Sequence, residues 1–271
     1  MTVPGLPMPK LGLGTWQLRG AEGRAAVERA LAMGYRHLDT AEMYGNEEAV
    51  GAALAASGVP RADVFLTSKV WVDHLAPDAM RAACEGSLAR LGVDALDLYL
   101  VHWPAAGMDV AAVMATLVSL QEAGLTRAVG VSNFPPGLLR GALATGAPLR
   151  CVQVEYHVGL SQDRLLAVAR PAGMALTAYS PLGQGKLLDD PTLARIARAH
   201  DATPGQVALA WLLRQEGVAA IPKAAREQTQ RANLGALALA GRLTPVDVAA
   251  LDALPKDRRF VNPSFAPDWD A

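Results

Sequence analysis

Short apolar segments alternate with longer amphipathic segments along the whole chain. Eight apolar segments have the length and composition of buried strands: residues 11–14, 37–40, 64–70, 96–102, 127–131, 151–155, 175–180 and 218–222. The segments between them repeat apolar residues at helical spacing: residues 21–33, 47–57, 77–91, 110–123, 136–145, 163–169 and 192–200. Strands separated by helices pair in parallel through right-handed crossovers. Eight such units predict an α/β fold, a closed (β/α)8 or TIM barrel.

The residues that flank the predicted helices support these boundaries. Five glycines follow predicted helices at positions that favour a left-handed cap: Gly34, Gly58, Gly92, Gly124 and Gly217. Helix starts are indicated at Asn46, at Pro77 and at Thr203 with Pro204. Two additional helices are predicted at residues 205–215 and 244–253. No linker rich in Ser, Gly or Pro divides the chain, so we expect residues 1–271 to form one barrel domain.

The composition excludes several classes of protein. Of 271 residues, 51% are hydrophobic and 19% are charged, so the chain can bury a large core. The net charge is −1 without charge runs, so neither nucleic acid nor a membrane is an expected partner, and a neutral small molecule fits better. No apolar run approaches about 18 residues and no secretory signal is present. We therefore expect a soluble, cytoplasmic protein, and an excess of arginine over lysine, 20 to 5, hints at a high-GC bacterium.

Cysteine and histidine spacing predicts no metal site. Cys84 and Cys151 lack metal-like spacing and are expected to be packing residues in a reducing compartment. No CxxC, HxxxH or carboxylate cluster occurs. His37 and His157 are interpreted as structural.

Four residues with proton-transfer chemistry fall at or just after the carboxyl ends of predicted strands. Asp39 and Tyr44 follow the second strand, Lys69 lies at the end of the third, and His102 lies at the end of the fourth. Because the carboxyl ends of barrel strands form one rim, these side chains are expected to meet there. An acid, a phenol, an ammonium and an imidazole beside a carbonyl indicate carbonyl reduction.

Each of the four has a chemical role in that hypothesis. Tyr44 would donate the proton to the carbonyl oxygen, and the Lys69 ammonium would lower its pKa from about 10. Asp39 would pair with Lys69, and His102 would hydrogen-bond the substrate oxygen. No side chain supplies a hydride, so a cofactor is required.

Seven ordered motifs resemble those of the aldo-keto reductases, and the resemblance covers nearly the whole chain. They occupy residues 34–47, 68–71, 98–104, 129–134, 153–156, 179–183 and 221–223. Within the family, the short loops and the tail at residues 260–270 are similar to bacterial reductases of 2,5-diketo-D-gluconate and methylglyoxal. The resemblance implies reduction of small aldehydes and ketones by a monomer.

The resemblance also implies a nicotinamide dinucleotide lying across the barrel rim. Eleven residues would bind it: Ser132, Asn133, Gln153, Tyr179, Ser180, Leu182, Gln184, Lys223, Arg226, Thr229 and Asn233. Two cations, Lys223 and Arg226, near the adenosine phosphate favour NADPH. Ala224 and Thr229 replace a serine and an arginine that are common in NADPH-specific members, so NADH stays possible.

Three tryptophans in the matching loops, Trp16, Trp71 and Trp103, would form the walls of the substrate pocket together with His102. Two remaining glutamates, Glu42 and Glu47, are interpreted as solvent-exposed or helix-capping groups.

Two other functions are compatible with a barrel. A regulatory subunit could bind the cofactor and report redox state without turnover. A lyase or isomerase could use Lys69 as a Schiff base, but that hypothesis leaves Tyr44 and the Ser132–Asn133 pair unexplained.

Overall fold

The computed structural model describes residues 2–269, so the two ends of the predicted 1–271 domain and residue 270 of the tail motif lie outside it. Eight parallel strands form one sheet: β3 (Leu13–Gly14), β4 (His37–Asp39), β5 (Phe65–Val70), β6 (Leu98–Val101), β7 (Val129–Ser132), β8 (Leu149–Glu155), β9 (Ala175–Tyr179) and β10 (Val218–Ala220). The strands lie side by side in chain order. Each one overlaps a segment predicted from the sequence.

The sheet closes on itself between its first and last strands. The Gly12 N–H donates to the Ala220 carbonyl at 2.9 Å and the Gly14 N–H donates to the Pro222 carbonyl at 3.2 Å. A methyl group on the Gly14 Cα would lie 2.6 Å from the Ile221 carbonyl oxygen, so this close approach requires glycine. The predicted barrel is confirmed.

Ten helices occur in residues 2–269: α1 (Gly20–Ala32), α2 (Glu47–Ala56), α3 (Pro77–Leu91), α4 (Val110–Glu122), α5 (Pro136–Ala144), α6 (Asp163–Ala169), α7 (Pro191–Ala199), α8 (Pro204–Leu213), α9 (Glu227–Ala240) and α10 (Pro245–Asp252). Eight belong to the β/α units and two are additional, as the predicted fold class requires. The sequence analysis missed α9, because its first turns are polar and lack an apolar period.

An antiparallel hairpin of β1 (Thr2–Val3) and β2 (Leu6–Pro9), also missed by the sequence analysis, covers the amino-terminal end of the barrel. Its buried side chains and the first residues of the barrel strands form one apolar cluster: Val3, Leu6, Met8, Phe65, Leu98, Leu100, Ala128, Cys151, Ala175 and Ala219. We call this cluster the apolar plug. It leaves the opposite rim as the open end.

Most of the predicted helix boundaries are confirmed by backbone geometry. The five predicted cap glycines all have positive φ, between 65° and 100°. Thr203 forms a capping box with Gln206. Asn46 precedes α2, but its side chain makes no cap, because it binds the loops after β3 and β4 instead.

No single helix in residues 2–269 is both long and apolar enough to cross a membrane. Helices α9 and α10 reach that length and apolarity only as a pair, across a bend of 116°.

Candidate active site

Three of the four predicted catalytic side chains are linked by hydrogen bonds at the barrel rim. Lys69 is completely buried and donates to Asp39 Oδ1 at 2.5 Å and to the Thr40 carbonyl at 2.7 Å. Its Nζ also lies 3.4 Å from the Tyr44 hydroxyl. Gln153 donates to the second Asp39 oxygen at 2.7 Å, so the carboxylate has a partner on each oxygen. The ammonium is therefore fixed between an acid and a phenol.

Burial and the neighbouring charges determine the protonation state of each group. Burial is the largest single effect on Lys69 and lowers its pKa, but Asp39 and Tyr44 together raise it more. Lys69 therefore stays protonated. A Schiff base needs a neutral amine, so this environment does not support the lyase hypothesis.

Tyr44 departs from the sequence-based expectation. Lys69 lowers the pKa of the phenol as predicted, but burial raises it more and Asp39 adds to that rise. The net pKa lies above the ordinary value, so the prediction of an unusually acidic phenol was wrong for this state. The phenol is held in its neutral, proton-donating form.

The fourth side chain, His102, packs edge-on against the Tyr44 ring, with ring centroids 5.5 Å apart. Burial and the Lys69 charge lower its pKa well below the ordinary value, so the imidazole is neutral. Its Nδ1 is buried and has no hydrogen-bond partner among the described residues. A neutral imidazole can donate one N–H to a carbonyl oxygen.

The loop that carries Tyr44 is held by two side chains. Asn46 accepts from the Thr40 hydroxyl at 2.8 Å and donates to the carbonyls of Thr15 and Leu18, both at 2.8 Å. Glu42 begins the short 3-10 helix Glu42–Tyr44 and accepts from the Trp71 backbone N–H. The position of Tyr44 is therefore coupled to the loops after β3 and β5.

Neither Glu42 nor Glu47 is solvent-exposed, and neither helix start has a side-chain cap, so that interpretation was wrong. The Glu47 side chain is 1% exposed, accepts from the Ser68 hydroxyl at 2.5 Å and pairs with Arg90 at 2.7 Å. Because Ser68 precedes Lys69, Glu47 supports the strand that carries the ammonium.

A cavity of about 840 Å³ opens over this group of side chains. The predicted walls Trp16, Trp71 and Trp103 line it together with His102. The lining residues that the sequence analysis missed include Met43, Phe260, Val261 and Phe265. Phe265 packs edge-on against Trp71 and Trp103, with centroids 5.7 and 5.5 Å away. Residues 260–265 form what we call the C-terminal wall. The sequence signals for it were the phenylalanines of a tail without helical period and the resemblance of residues 260–270 to bacterial reductases.

Three of the predicted cofactor-binding residues, Ser132, Asn133 and Tyr179, form one hydrogen-bond network. The Asn133 amide nitrogen donates to the His102 carbonyl at 2.9 Å and to Ser132 Oγ at 3.0 Å. The Asn133 oxygen accepts from the Tyr179 hydroxyl at 2.7 Å. Asn133, Gln153 and Tyr179 line the cavity, whereas Ser132 is buried behind Asn133.

Other predicted cofactor residues divide into two groups. Ser180, Leu182, Gln184 and Lys223 line the cavity, and Ser180 and Gln184 adopt positive φ of 44° and 57°. The cavity lining does not include Arg226, Thr229 or Asn233. Arg226 and Thr229 are exposed at the start of α9, and Asn233 is 4% exposed within that helix.

Comparison with known proteins assigns the chain to a family. The model of the aldo/keto reductase family matches residues 10–256. The chain belongs to the aldo/keto reductase family. It is therefore an oxidoreductase that acts on carbonyl groups, and the resemblance noted from the seven motifs is confirmed.

Several relatives match over nearly their full length. The chain is 39% identical to "Methylglyoxal reductase DkgB" of Escherichia coli O157:H7 over 270 residues, which is 98% of this chain and 100% of the relative. It is 42% identical to an aldo-keto reductase of Mycolicibacterium vanbaalenii over 255 residues, 93% of this chain and 90% of the relative.

Solved structures of similar proteins have the same fold as this chain. A candidate 2,5-diketo-D-gluconic acid reductase B superposes with a TM-score of 0.94 at 42% identity, covering 98% of this chain and 95% of the other. The aldose reductase of Schistosoma japonicum gives a TM-score of 0.89 at 31% identity, covering 97% and 96%.

Proposed function

We propose that this protein reduces small aldehydes and ketones with NADPH, that its substrates are of the methylglyoxal or 2,5-diketo-D-gluconate type, and that Tyr44 donates the proton. One observation carries the proposal: a neutral, half-buried phenol lines an aromatic cavity while its oxygen lies 3.4 Å from a fixed ammonium. Carbonyl oxygen becomes basic as hydride reaches the carbon, so a neutral acid at that point completes the reaction.

The residues present fit a nicotinamide dinucleotide. The Asn133 oxygen uses one of its two acceptor positions for Tyr179, which leaves the other for an amide N–H. Ser180, Leu182 and Gln184 line the middle of the cavity, and Lys223 supplies a cation at its edge. When bound, the reduced nicotinamide supplies the hydride.

The catalytic side chains then have distinct tasks. His102 donates its N–H to the substrate oxygen and orients the carbonyl. Tyr44 transfers its proton to that oxygen, and Lys69 stabilises the phenolate that remains. Asp39 holds Lys69 in place, with Gln153 on its second oxygen.

The preference for NADPH rests on charge. Lys223 and Arg226 are exposed cations that can reach a phosphate, with Thr229 and Asn233 on the following helix. Because Arg226 does not line the cavity, its contact requires the cofactor to extend beyond the cavity edge, and NADH remains the weaker alternative. We further propose that the protein is a single-domain monomer and that it is located in a bacterial cytoplasm.

Substrate choice follows from the cavity walls. Trp16, Trp71, Trp103 and Phe265 present flat apolar surfaces, which suit small carbonyl compounds and discriminate weakly among them. Proteins similar to this chain are named for methylglyoxal and for 2,5-diketo-D-gluconic acid, and these are the two compounds to test.

The experiment is to follow loss of NADPH absorbance with each compound, and with NADH in place of NADPH. Turnover with a higher kcat/KM for NADPH supports the proposal. Cofactor binding without turnover of either compound or of an aromatic aldehyde would support the redox-sensor alternative, and borohydride trapping of substrate on Lys69 would support the lyase.

A further inference from the structure

Glu155 is a completely buried carboxylate that the proposed chemistry does not use. It is the last residue of β8 and lies two residues after Gln153, so both side chains point to the same side of the sheet. An unpaired charge at this depth would be strongly destabilising, so its partners indicate what it is for.

The backbone partners of the Glu155 carboxylate come from the C-terminal part of the chain, and Arg259 Nη1 of the same segment lies 3.9 Å from Oε2. Its Oε1 accepts from the Phe260 backbone N–H at 2.9 Å, and its Oε2 accepts from the Val261 backbone N–H at 3.0 Å. Hydrogen bonds to a charged acceptor are stronger than neutral ones. One carboxylate therefore holds two consecutive peptide groups of a segment that is 105 and 106 residues away in sequence.

His157 sets the orientation of this carboxylate. The Gly159 backbone N–H donates to His157 Nδ1 at 3.2 Å, which makes Nδ1 an acceptor and places the ring hydrogen on Nε2. Nε2 then donates to Glu155 Oε1 at 3.1 Å. The Phe260 ring also packs on His157, with centroids 5.3 Å apart.

The two held residues are at the start of the C-terminal wall, and both line the cavity. A methyl group on the Gly183 Cα would lie 2.6 Å from Phe260 Cε2, so Phe260 is in tight contact with the turn after β9. That turn contains Gln184, a predicted cofactor residue. Four residues beyond Val261, Phe265 packs on Trp71 and Trp103.

We propose that Glu155 is a positioning residue that sets the C-terminal wall, and through it the width of the substrate pocket. The inference rests on the proposed function for its kinetic consequence. Within residues 2–269 the Glu155 side chain makes no hydrogen bond or ion pair with Tyr44, Lys69 or His102, so it should govern how substrate is held rather than how the proton is transferred.

The test is the Glu155→Gln variant, which keeps the shape but replaces one acceptor oxygen with an N–H donor. That donor faces a backbone N–H or the His157 N–H, so one contact is lost. We expect KM for methylglyoxal to rise about 10-fold or more, with kcat within about threefold of wild type. Trypsin should also cleave faster at Arg258 or Arg259.

Asp97→Asn is the matched control. Asp97 is also a buried carboxylate that accepts a backbone N–H, from Leu66 at 2.9 Å, but it precedes β6 at the plugged end of the barrel. We expect it to lower the urea midpoint comparably while leaving KM unchanged. An equal rise of KM in both variants, or none in Glu155→Gln, overturns the proposal.

A second variant and an exchange measurement on the wild type also test the proposal. Glu155→Asp retains the charge and should give a KM between those of wild type and Glu155→Gln. If Glu155→Gln does not fold or the wild type reduces neither compound, amide exchange of the wild type decides. The Phe260 and Val261 amides should exchange at least about 100-fold more slowly than those of residues 264 and 265, and equal rates would contradict the proposal.

Discussion

The two ends of the barrel are built from the same strands and serve opposite purposes. At the amino-terminal end, the apolar plug fills the interior with aliphatic and aromatic side chains. At the carboxyl-terminal rim, the same strands bury polar and charged side chains: Asp39, Lys69, His102, Asn133, Gln153 and Glu155. Packing at the plug stabilises the fold, whereas the rim keeps costly buried charges that only function explains.

Replacing Lys69 at the rim should have the largest combined effect on the free energy of unfolding and on kcat. Lys69→Met leaves Asp39 buried with its charge unpaired, which should lower the free energy of unfolding by about 3–5 kcal/mol. It also removes the cation that stabilises the phenolate, so kcat should fall by about 10²–10⁴. Urea denaturation and steady-state kinetics measure both.

The control is the double variant Asp39→Asn with Lys69→Met, which removes both charges. It should recover most of the lost stability without recovering activity. A double variant as unstable as the single one would contradict the interpretation of the buried pair.

A substitution in the plug should have the reverse pattern. Met8 is 0% exposed, so Met8→Ala should lower the free energy of unfolding by about 2–5 kcal/mol through a cavity. Because the rim is untouched, kcat/KM should stay within about twofold of wild type. A large loss of kcat/KM in soluble, folded protein would show that the two ends are not independent.

Acidification should affect a buried histidine at each end. Burial lowers the pKa of His37 beside the plug and of His102 at the rim. Below pH about 6.5 the unfolded chain binds protons that these rings cannot bind in the folded state, so stability falls as the pH falls. Each ring contributes at most about 1.4 kcal/mol per pH unit.

Urea midpoints between pH 5 and 7 measure the slope of stability against pH. His37→Phe and His102→Gln should each reduce it, and unchanged slopes in both variants would refute the neutral state of these rings.

A prediction about chemical reactivity, with no expected effect on activity, concerns the thiols. Burial raises the pKa of Cys84 and of Cys151 to about 12, so the thiolate fraction at pH 8 is on the order of 10⁻⁴. Iodoacetamide should label both on the order of 1000-fold more slowly in the native protein than in urea, as mass spectrometry can show. Rapid labelling of native Cys151 would show that the plug opens.

The sequence predicted the barrel and the group at its rim because both follow from local rules. Alternation of strands and helices sets the topology, and a polar residue at a strand end is placed on the rim by that topology alone. Asp39, Tyr44 and Lys69 therefore met as predicted.

The remaining features depend on contacts between distant segments. The C-terminal wall has no periodicity and is positioned by Glu155, more than 100 residues earlier. The desolvation of the Tyr44 phenol, which reverses the expected direction of its pKa shift, is a property of the packed cavity. Glu47 looks like an ordinary helix-start residue until the fold places Ser68 and Arg90 beside it.

The most direct test of Tyr44 as proton donor is the single-turnover rate of Tyr44→Phe with saturating NADPH and methylglyoxal. Tyr99→Phe is the control, because the Tyr99 hydroxyl is buried without a hydrogen-bond partner among the described residues. We expect Tyr44→Phe to slow the reduction by about 10²–10⁴ while its affinity for NADPH is unchanged, and Tyr99→Phe to react at the wild-type rate. Reduction by Tyr44→Phe within about threefold of wild type would contradict the account.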